Sequence, residues 1–336
     1  MRFGPLPLAQ AAGAILAHSH DTPAGALRKG HVLAPPDIAA LAQAGVAEVT
    51  VAALDPGDIA EDAAAVRLAQ ALVPDPAAAG LELTPPVNGR VNLRATRFGI
   101  LGIDAGRVLA LNRIDPALTL ATLPALARVW PGALVGTAKI ITYAVPEAAL
   151  VQAEAAGRGA VRVHPVIHRD AALVMTFVPG QAESLAAKGR RSTAGRLRGL
   201  GLGLAETREV PHEVGALAEA LGQVAGDIVL ILTGSATSDM GDVAPEAVRR
   251  AGGAVARFGI PVDPGNLLFH GSLGGSLGGR PVIGLPGCAR SPALNGADWV
   301  LERIACGRTP TAEDIAAMGV GGLLKESPMR GQPREG

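Results

Sequence analysis

The sequence predicts an α/β protein with a three-layer, doubly wound, mostly parallel sheet in its C-terminal half, preceded by smaller mixed α/β modules. Three observations predict it. From about Ala160 onward, short apolar runs alternate with helical patterns, and that rhythm belongs to parallel sheets covered by helices. Runs such as Ile228-Val229-Leu230-Ile231-Leu232 are apolar at every position, as a strand must be when both faces of its sheet are covered. Glycine-rich turns follow several of these strands, at the sheet edge where ligands of such folds bind.

The elements follow in order. Residues Pro7 to Ala17 read as a short Ala-rich helix, followed by the polar patch His18-Ser19-His20-Asp21-Thr22. Pro35-Pro36-Asp37 opens a second helix and Gly45 closes it, since glycine takes the left-handed closing conformation at little cost. Val46 to Leu54 is a strand, Asp55-Pro56-Gly57-Asp58 a turn and Ile59 to Val73 a helix. Residues 74 to 90 are rich in Pro, Ala and Gly and read as a linker. Val91 to Ala95, Phe98 to Ile103 and Val108 to Asn112 are expected as strands, the last two joined by the turn Asp104-Ala105-Gly106. Beyond Ala160 the expected strands are Ala171–Val178, Leu202–Val210, Asp227–Thr233, Ala254–Pro261 and Arg280–Leu285. The expected helices are Ser184–Gly199, Glu213–Val224, Pro245–Ala251 and Ser291–Ala305. The domain expectation is an α-β-α module over 1–85, a strand-rich module over 86–160, the large α/β domain over 161–310 and a tail over 311–336, mobile from Gly321.

Composition narrows the function. The 30 basic residues balance the 30 acidic ones and only 2% of residues are aromatic. Neither a basic field nor stacking platforms are therefore available, and nucleic acid is not an expected partner. Arginine replaces lysine almost throughout, the lysines being Lys29, Lys139, Lys188 and Lys325. Cys288 and Cys306 form neither a disulfide framework nor a CxxC metal pattern. The apolar start is broken by Pro5, Pro7 and Gln10, which argues against a secretory leader, and no apolar run reaches the ~20 residues that span a bilayer. A cytoplasmic protein without membrane attachment is expected.

The segment from Thr233 to Ala247 carries the most chemistry. Thr233, Gly234, Ser235, Thr237 and Ser238 are small enough to let backbone N–H groups approach an anion where a strand ends, and Pro245 opens a helix behind them. Asp239 and Asp242 in the same turn call for a cation or a ligand donor; a helix-capping polar loop is the plainer alternative. A second loop, Asp263-Pro264-Gly265-Asn266, leads into Phe269 to Gly275. A third runs Gly284-Leu285-Pro286-Gly287-Cys288-Ala289-Arg290-Ser291-Pro292. Three loops after successive strands should gather at one sheet edge.

The pattern T-G-x-x-x-x-x-x-x-D-x-x-P-E-A over Thr233 to Ala247, then Pro264-Gly265, then Leu285-Pro286-Gly287, resembles the molybdopterin-binding domain of molybdenum-cofactor biosynthesis. The resemblance covers about residues 170 to 305. Molybdopterin adenylyltransferases and molybdenum insertases share that domain, and Lys29-Gly30-His31-Val32-Leu33 is similar to a stretch of the insertases. The resemblance implies a molybdopterin ligand or substrate and Mg²⁺ held by a catalytic Asp242, with nucleotidyl transfer from ATP or CTP, or molybdate insertion, as the reaction. It further implies a homo-oligomer whose partners are a pterin phosphate and a nucleotidyltransferase or molybdoenzyme. Thr233, Gly234, Ser235, Thr237, Ser238 and Asp239 would line the phosphate. Pro264, Gly265, Asn266, Pro286, Gly287, Cys288, Arg290 and Ser291 would complete the ligand loops.

The chain departs from that pattern at three places. Asn266 stands where the enzymes carry lysine, Cys288-Ala289 where they carry Asn-Pro, and His212-Glu213 near the position of an adenylyltransferase aspartate. These departures favour pterin binding, or a carrier that hands on the finished cofactor, over an unaltered nucleotidyl transfer; a dinucleotide pyrophosphatase is a further alternative. The basic stretch Lys188 to Arg198, with Arg191 chosen from it, either clamps phosphate in place of the lost lysine or is a solvated helix face. Cys288, at a helix start, either meets the ligand or is a small buried apolar residue. The His18-Ser19-His20-Asp21 patch reads as a surface loop.

Overall fold

The computed structural model describes residues 1–180, 182–274 and 279–324. The chain packs as two compact units, Met1–Arg97 with Leu101–Val163, and Phe98–Ile100 with the chain from His164 on. The outer part of the expected tail, from Lys325, lies outside the described residues, as does Gly275 of the second loop.

The first unit is built on small antiparallel sheets. Arg2–Pro7 pairs with Glu48–Ala53, which pairs with Ile15–Leu16. These strands and the helix Pro35–Gln43 close over Leu8, Leu16, Leu33, Leu41, Val49 and Val51. The helix ends, as expected, at Gly45 with φ +79°. A four-stranded antiparallel sheet, in the order Leu118–Thr122, Leu134–Ile140, Arg90–Ala95, Leu81–Leu83, packs with the helix Glu61–Leu72 around a second core that includes Leu68, Leu93 and Leu118. Three expectations fail here. Residues 74 to 90, expected as a linker, hold the short helix Pro76–Ala79 and the paired strand Leu81–Leu83. The helix over Pro7 to Ala17 is reduced to the 3-10 turn Leu8–Gln10, because strand pairing on both sides overrides the weak helical preference of alanine. Val108 to Asn112 belongs to a helix, Ala105–Asn112, whose N-cap is Asp104; its carboxylate accepts the Arg107 N–H at 3.0 Å. That aspartate starts a helix where the sequence suggested a hairpin turn.

The second unit is the α/β domain. Its elements in order are β1 (Asp170–Phe177), α1 (Glu183–Arg198), β2 (Gly203–Pro211), α2 (Val214–Gln223) and β3 (Ile228–Leu232). They continue with α3 (Val243–Arg250), β4 (Ala254–Ile260), β5 (Asn266–Leu273), β6 (Arg280–Leu285), α4 (Gly296–Ala305) and α5 (Ala312–Ala317). The six strands form one sheet in the order β2-β1-β3-β6-β5-β4. The pairs β2/β1, β1/β3 and β3/β6 are parallel, while β5 runs antiparallel to both neighbours. The sheet is therefore mixed and mostly parallel.

Alternation along β3 sends its side chains into two cores. Ile228, Leu230 and Leu232 pack in one layer with Leu197 of α1 and Val300 and Leu301 of α4. Val229 and Ile231 pack in the other with Leu217 of α2 and Ala247 and Val248 of α3. Every position of that strand is buried, as a doubly covered strand requires. The chain leaves β3 toward the α2/α3 face and leaves β6 toward the α1/α4 face. Two adjacent parallel strands with diverging exits open a crevice beyond their carboxyl ends.

Two differences from expectation matter for function. Phe269 to Leu273, read as part of a ligand loop, lies within strand β5; its antiparallel pairing with two neighbours is invisible in a single sequence. The helix expected from Ser291 begins only at Gly296, after the 3-10 turn Gly287–Arg290. Asn295 caps it, accepting the Ala297 N–H at 2.9 Å, while Asp298 accepts the Asn295 N–H at 2.8 Å.

On β5, His270 is 1% exposed and neither ring nitrogen has a hydrogen-bond partner. Burial, reinforced by the nearby Arg257 charge, pushes its pKa below the usual histidine value. In the unfolded chain it titrates near 6.5, so between that pH and the lowered native value the unfolded state binds the extra proton. Stability from this residue is full above about pH 6.5 and falls as the pH drops below it. The wild type is expected to lose more unfolding free energy than His270→Leu between pH 7.5 and pH 5.5. Urea unfolding at both pH values checks this, and parallel losses would refute it.

Candidate functional site

The crevice between β3 and β6 forms a cleft lined by Thr233, Gly234, Ser235, Ala236, Thr237, Leu267, Leu285, Pro286, Gly287 and Arg290. It encloses about 350 Å³, open solvent at its mouth included. The first and third expected ligand loops thus meet here, joined by Leu267 from the start of β5. Leu267 carried no polar signal in the sequence, and only its place beside β6 brings it to the site.

Arg290 supplies the charge. Its Nη2 donates to the Thr233 carbonyl at 2.6 Å, which ties the third loop to the end of β3. Its Nε is buried with no hydrogen-bond partner, and among the described residues no carboxylate pairs with it. Burial alone pushes its pKa below the usual arginine value. A guanidinium keeps its proton under such conditions, so an incompletely compensated cation faces the cleft. On the opposite wall, the backbone N–H groups of Ser235, Ala236 and Thr237 have no acceptor among the described residues. Amides left unpaired where a strand ends are available to an anion. The Thr233 and Thr237 hydroxyls, both buried, lie 3.5 Å apart beneath it.

Asp242 closes the first loop at the start of α3. It is the N-cap of α3, with Oδ1 accepting the Val243 N–H at 2.7 Å and Oδ2 accepting the Ser238 N–H at 2.9 Å. Asp239 accepts the Gly241 N–H at 2.7 Å. Both carboxylates shape the loop, and neither lines the cleft. Among the described residues no group of three or more His, Cys, Asp or Glu side chains is placed to hold a metal. Gly234 is also held from behind: its N–H donates to Thr176 Oγ1 at 2.9 Å, and that hydroxyl meets His212 Nδ1 at 2.8 Å. Thr176 was not singled out in the sequence, because one threonine within an apolar strand gives no signal.

The remaining expected residues stand apart. Pro264, Gly265 and Asn266 lie at the turn between β4 and β5 and do not line the cleft; Asn266 bonds to Val262 O and the Leu268 N–H. Ser238 and Ser291 flank the two loops without lining it. Cys288 is half-buried and also outside the lining, while burial pushes the Cys306 thiol up to about 12, which makes it inert. Arg191 is exposed on α1 and outside the lining, and Arg190 pairs with Glu209.

The member of that basic stretch with an extensive structural role is Arg196. Its guanidinium is buried and donates to Asp298 Oδ1 at 2.8 Å, Ala289 O at 2.6 Å, Ser291 O at 2.7 Å and Ala293 O at 3.1 Å. Ser192, one turn earlier, donates to Arg290 O at 2.7 Å. Gly189, one turn earlier still, leaves room for Leu232 and Arg290: an added Cβ would meet Leu232 Cδ2 at 2.5 Å. α1 thereby fixes the backbone on both sides of Arg290.

A family model described as a domain of unknown function, DUF8806, matches residues 5–53. No curated protein matches the chain. A solved structure described as the molybdopterin biosynthesis MoeA protein from Pyrococcus horikosii is similar at 14% identity. It covers 92% of this chain and 76% of its own, with a TM-score of 0.31. That is a weak, distant likeness. Among the described residues no helix is long and apolar enough to cross a membrane.

Proposed function

We propose that the C-terminal domain binds a small phosphorylated ligand of the molybdopterin class in the cleft between β3 and β6. It serves as a binding and hand-on protein of molybdenum-cofactor maturation rather than as a nucleotidyltransferase. The observation that carries the anion part of the reading is Arg290, a partly desolvated guanidinium with an unpartnered Nε, lining the same cleft as the free backbone amides of Ser235, Ala236 and Thr237. Such a cleft suits a phosphate monoester, with the amides holding its oxygens and the guanidinium neutralising its charge. The apolar side chains of Leu267 and Leu285 beside it suit the ring system attached to that phosphate. The pterin identity rests on the motif resemblance over Thr233 to Ala247 and Leu285 to Gly287. Hand-on is favoured over transfer because Asp242, the expected metal-bearing aspartate, is used as a helix cap. The recipient in this reading is a nucleotidyltransferase or a molybdoenzyme.

Fluorescence titration with anaerobic molybdopterin tests the reading. The wild type is expected to bind saturably, and Arg290→Gln to bind roughly 10- to 100-fold more weakly, the worth of a charge-assisted hydrogen bond. Absence of saturable binding by the wild type would sink the pterin assignment.

A further inference from the structure

We propose that the anion in this cleft is neutralised by Arg290 in place of a divalent cation, so that binding needs no magnesium. The proposal rests on the phosphate reading above and departs from the metal-bearing Asp242 that the motif implies.

The donor set on the Asp242 side does not suit Mg²⁺. That ion takes six oxygens in near-octahedral geometry at roughly 2.1 Å and is drawn to carboxylates with free lone pairs facing the ligand. Both Asp242 oxygens instead receive backbone N–H groups, from Ser238 and Val243. A cation at that carboxylate would also face the positive end of the α3 dipole. Asp239, the nearest other acid in the loop, is turned onto the Gly241 amide.

Across the cleft the positive charge is already present. Arg290 meets the Thr233 carbonyl at 2.6 Å and leaves its buried Nε–H unpaired. Its position is set before any ligand arrives: Ser192 holds its carbonyl, and Arg196 holds the carbonyls of Ala289 and Ser291 on either side. A guanidinium fixed in this way presents its N–H fork to an oxyanion with little reorganisation. A phosphate bridging Arg290 and the amides of Ser235, Ala236 and Thr237 would satisfy both walls at once.

Calorimetric titration of inorganic phosphate into the full chain, first with EDTA and then with excess magnesium chloride, decides the matter. The two dissociation constants are expected to agree within about twofold, while Arg290→Gln raises the constant by roughly 10- to 100-fold in either buffer. Arg290→Lys, which keeps the charge but loses the fork, should fall between. Binding that appears only with magnesium overturns the proposal and leaves the phosphate reading standing. Magnesium-free binding that persists undiminished in a folded Arg290→Gln overturns it as well. Should both Arg290 variants fail to fold, the wild-type comparison between buffers still decides whether the metal is required. No saturable binding in either buffer overturns the phosphate reading, and this proposal with it.

Discussion

Arg290→Met is expected to raise the melting temperature of the ligand-free protein while abolishing its affinity for phosphate. The two effects have one cause. In the free protein the Arg290 guanidinium is partly desolvated, makes one hydrogen bond to Thr233 O and leaves a buried Nε–H unpaired. Taking a charge out of water costs several kcal/mol, and an unpaired buried donor adds to that cost. Methionine fills similar space beside Gly189 without a charge, at the loss of one hydrogen bond worth about 1 kcal/mol. The balance favours methionine by about 1 kcal/mol, or roughly 2–4 °C in a domain of this size. Differential scanning calorimetry of the two proteins without ligand checks the sign. A melting temperature clearly below wild type would show that Arg290 serves the fold, and would remove the main reason for assigning it to a ligand. Residues that destabilise a protein in the absence of ligand are what a binding site retains and a purely structural loop does not.

The chain also shows which parts of such a site a sequence can reveal. The apolar run Ile228 to Leu232 and the glycines that follow it announce a buried strand and a loop at its end, because both are local properties. Arg290 could be chosen because it lies between Pro286-Gly287 and the next helix. The roles of Asp242 and Arg196 could not be separated in the same way. An aspartate three residues before Pro245 has the same spacing whether it caps a helix or holds a metal, and its bonds to the Ser238 and Val243 amides appear only in the fold. Arg196 is one of five basic residues within eleven positions, and which of them turns inward depends on contacts 93 to 102 residues away in the chain. Leu267 is missed for a related reason, since its place in the cleft follows from the antiparallel insertion of β5 beside β6. The Ala-rich N-terminus fails in the opposite direction. There a local helical preference is clear and wrong, because partners at Glu48–Ala53 draw the chain into strands.

Asp298→Ala is expected to destabilise the C-terminal domain strongly, by about 3–5 kcal/mol. Arg196 and Asp298 form an ion pair in which both side chains are 5% exposed. Removing the carboxylate leaves the Arg196 charge buried with only the carbonyls of Ala289, Ser291 and Ala293 around it. It also frees the Asn295 N–H that Asp298 caps at the start of α4. Arg196→Met should cost less than Asp298→Ala, because the aspartate left behind keeps its bond from the Asn295 N–H. The double variant Arg196→Met/Asp298→Ala should recover part of the loss, since no unpaired charge remains, and a double-mutant cycle by urea unfolding would read the coupling. The cycle separates two accounts of the same contact. Simple additivity would make Arg196 and Asp298 independent packing residues. Strong coupling, joined to weaker phosphate binding by folded Arg196→Met, would show that the pair holds Ala289 and Ser291 so that Arg290 keeps its place at the cleft.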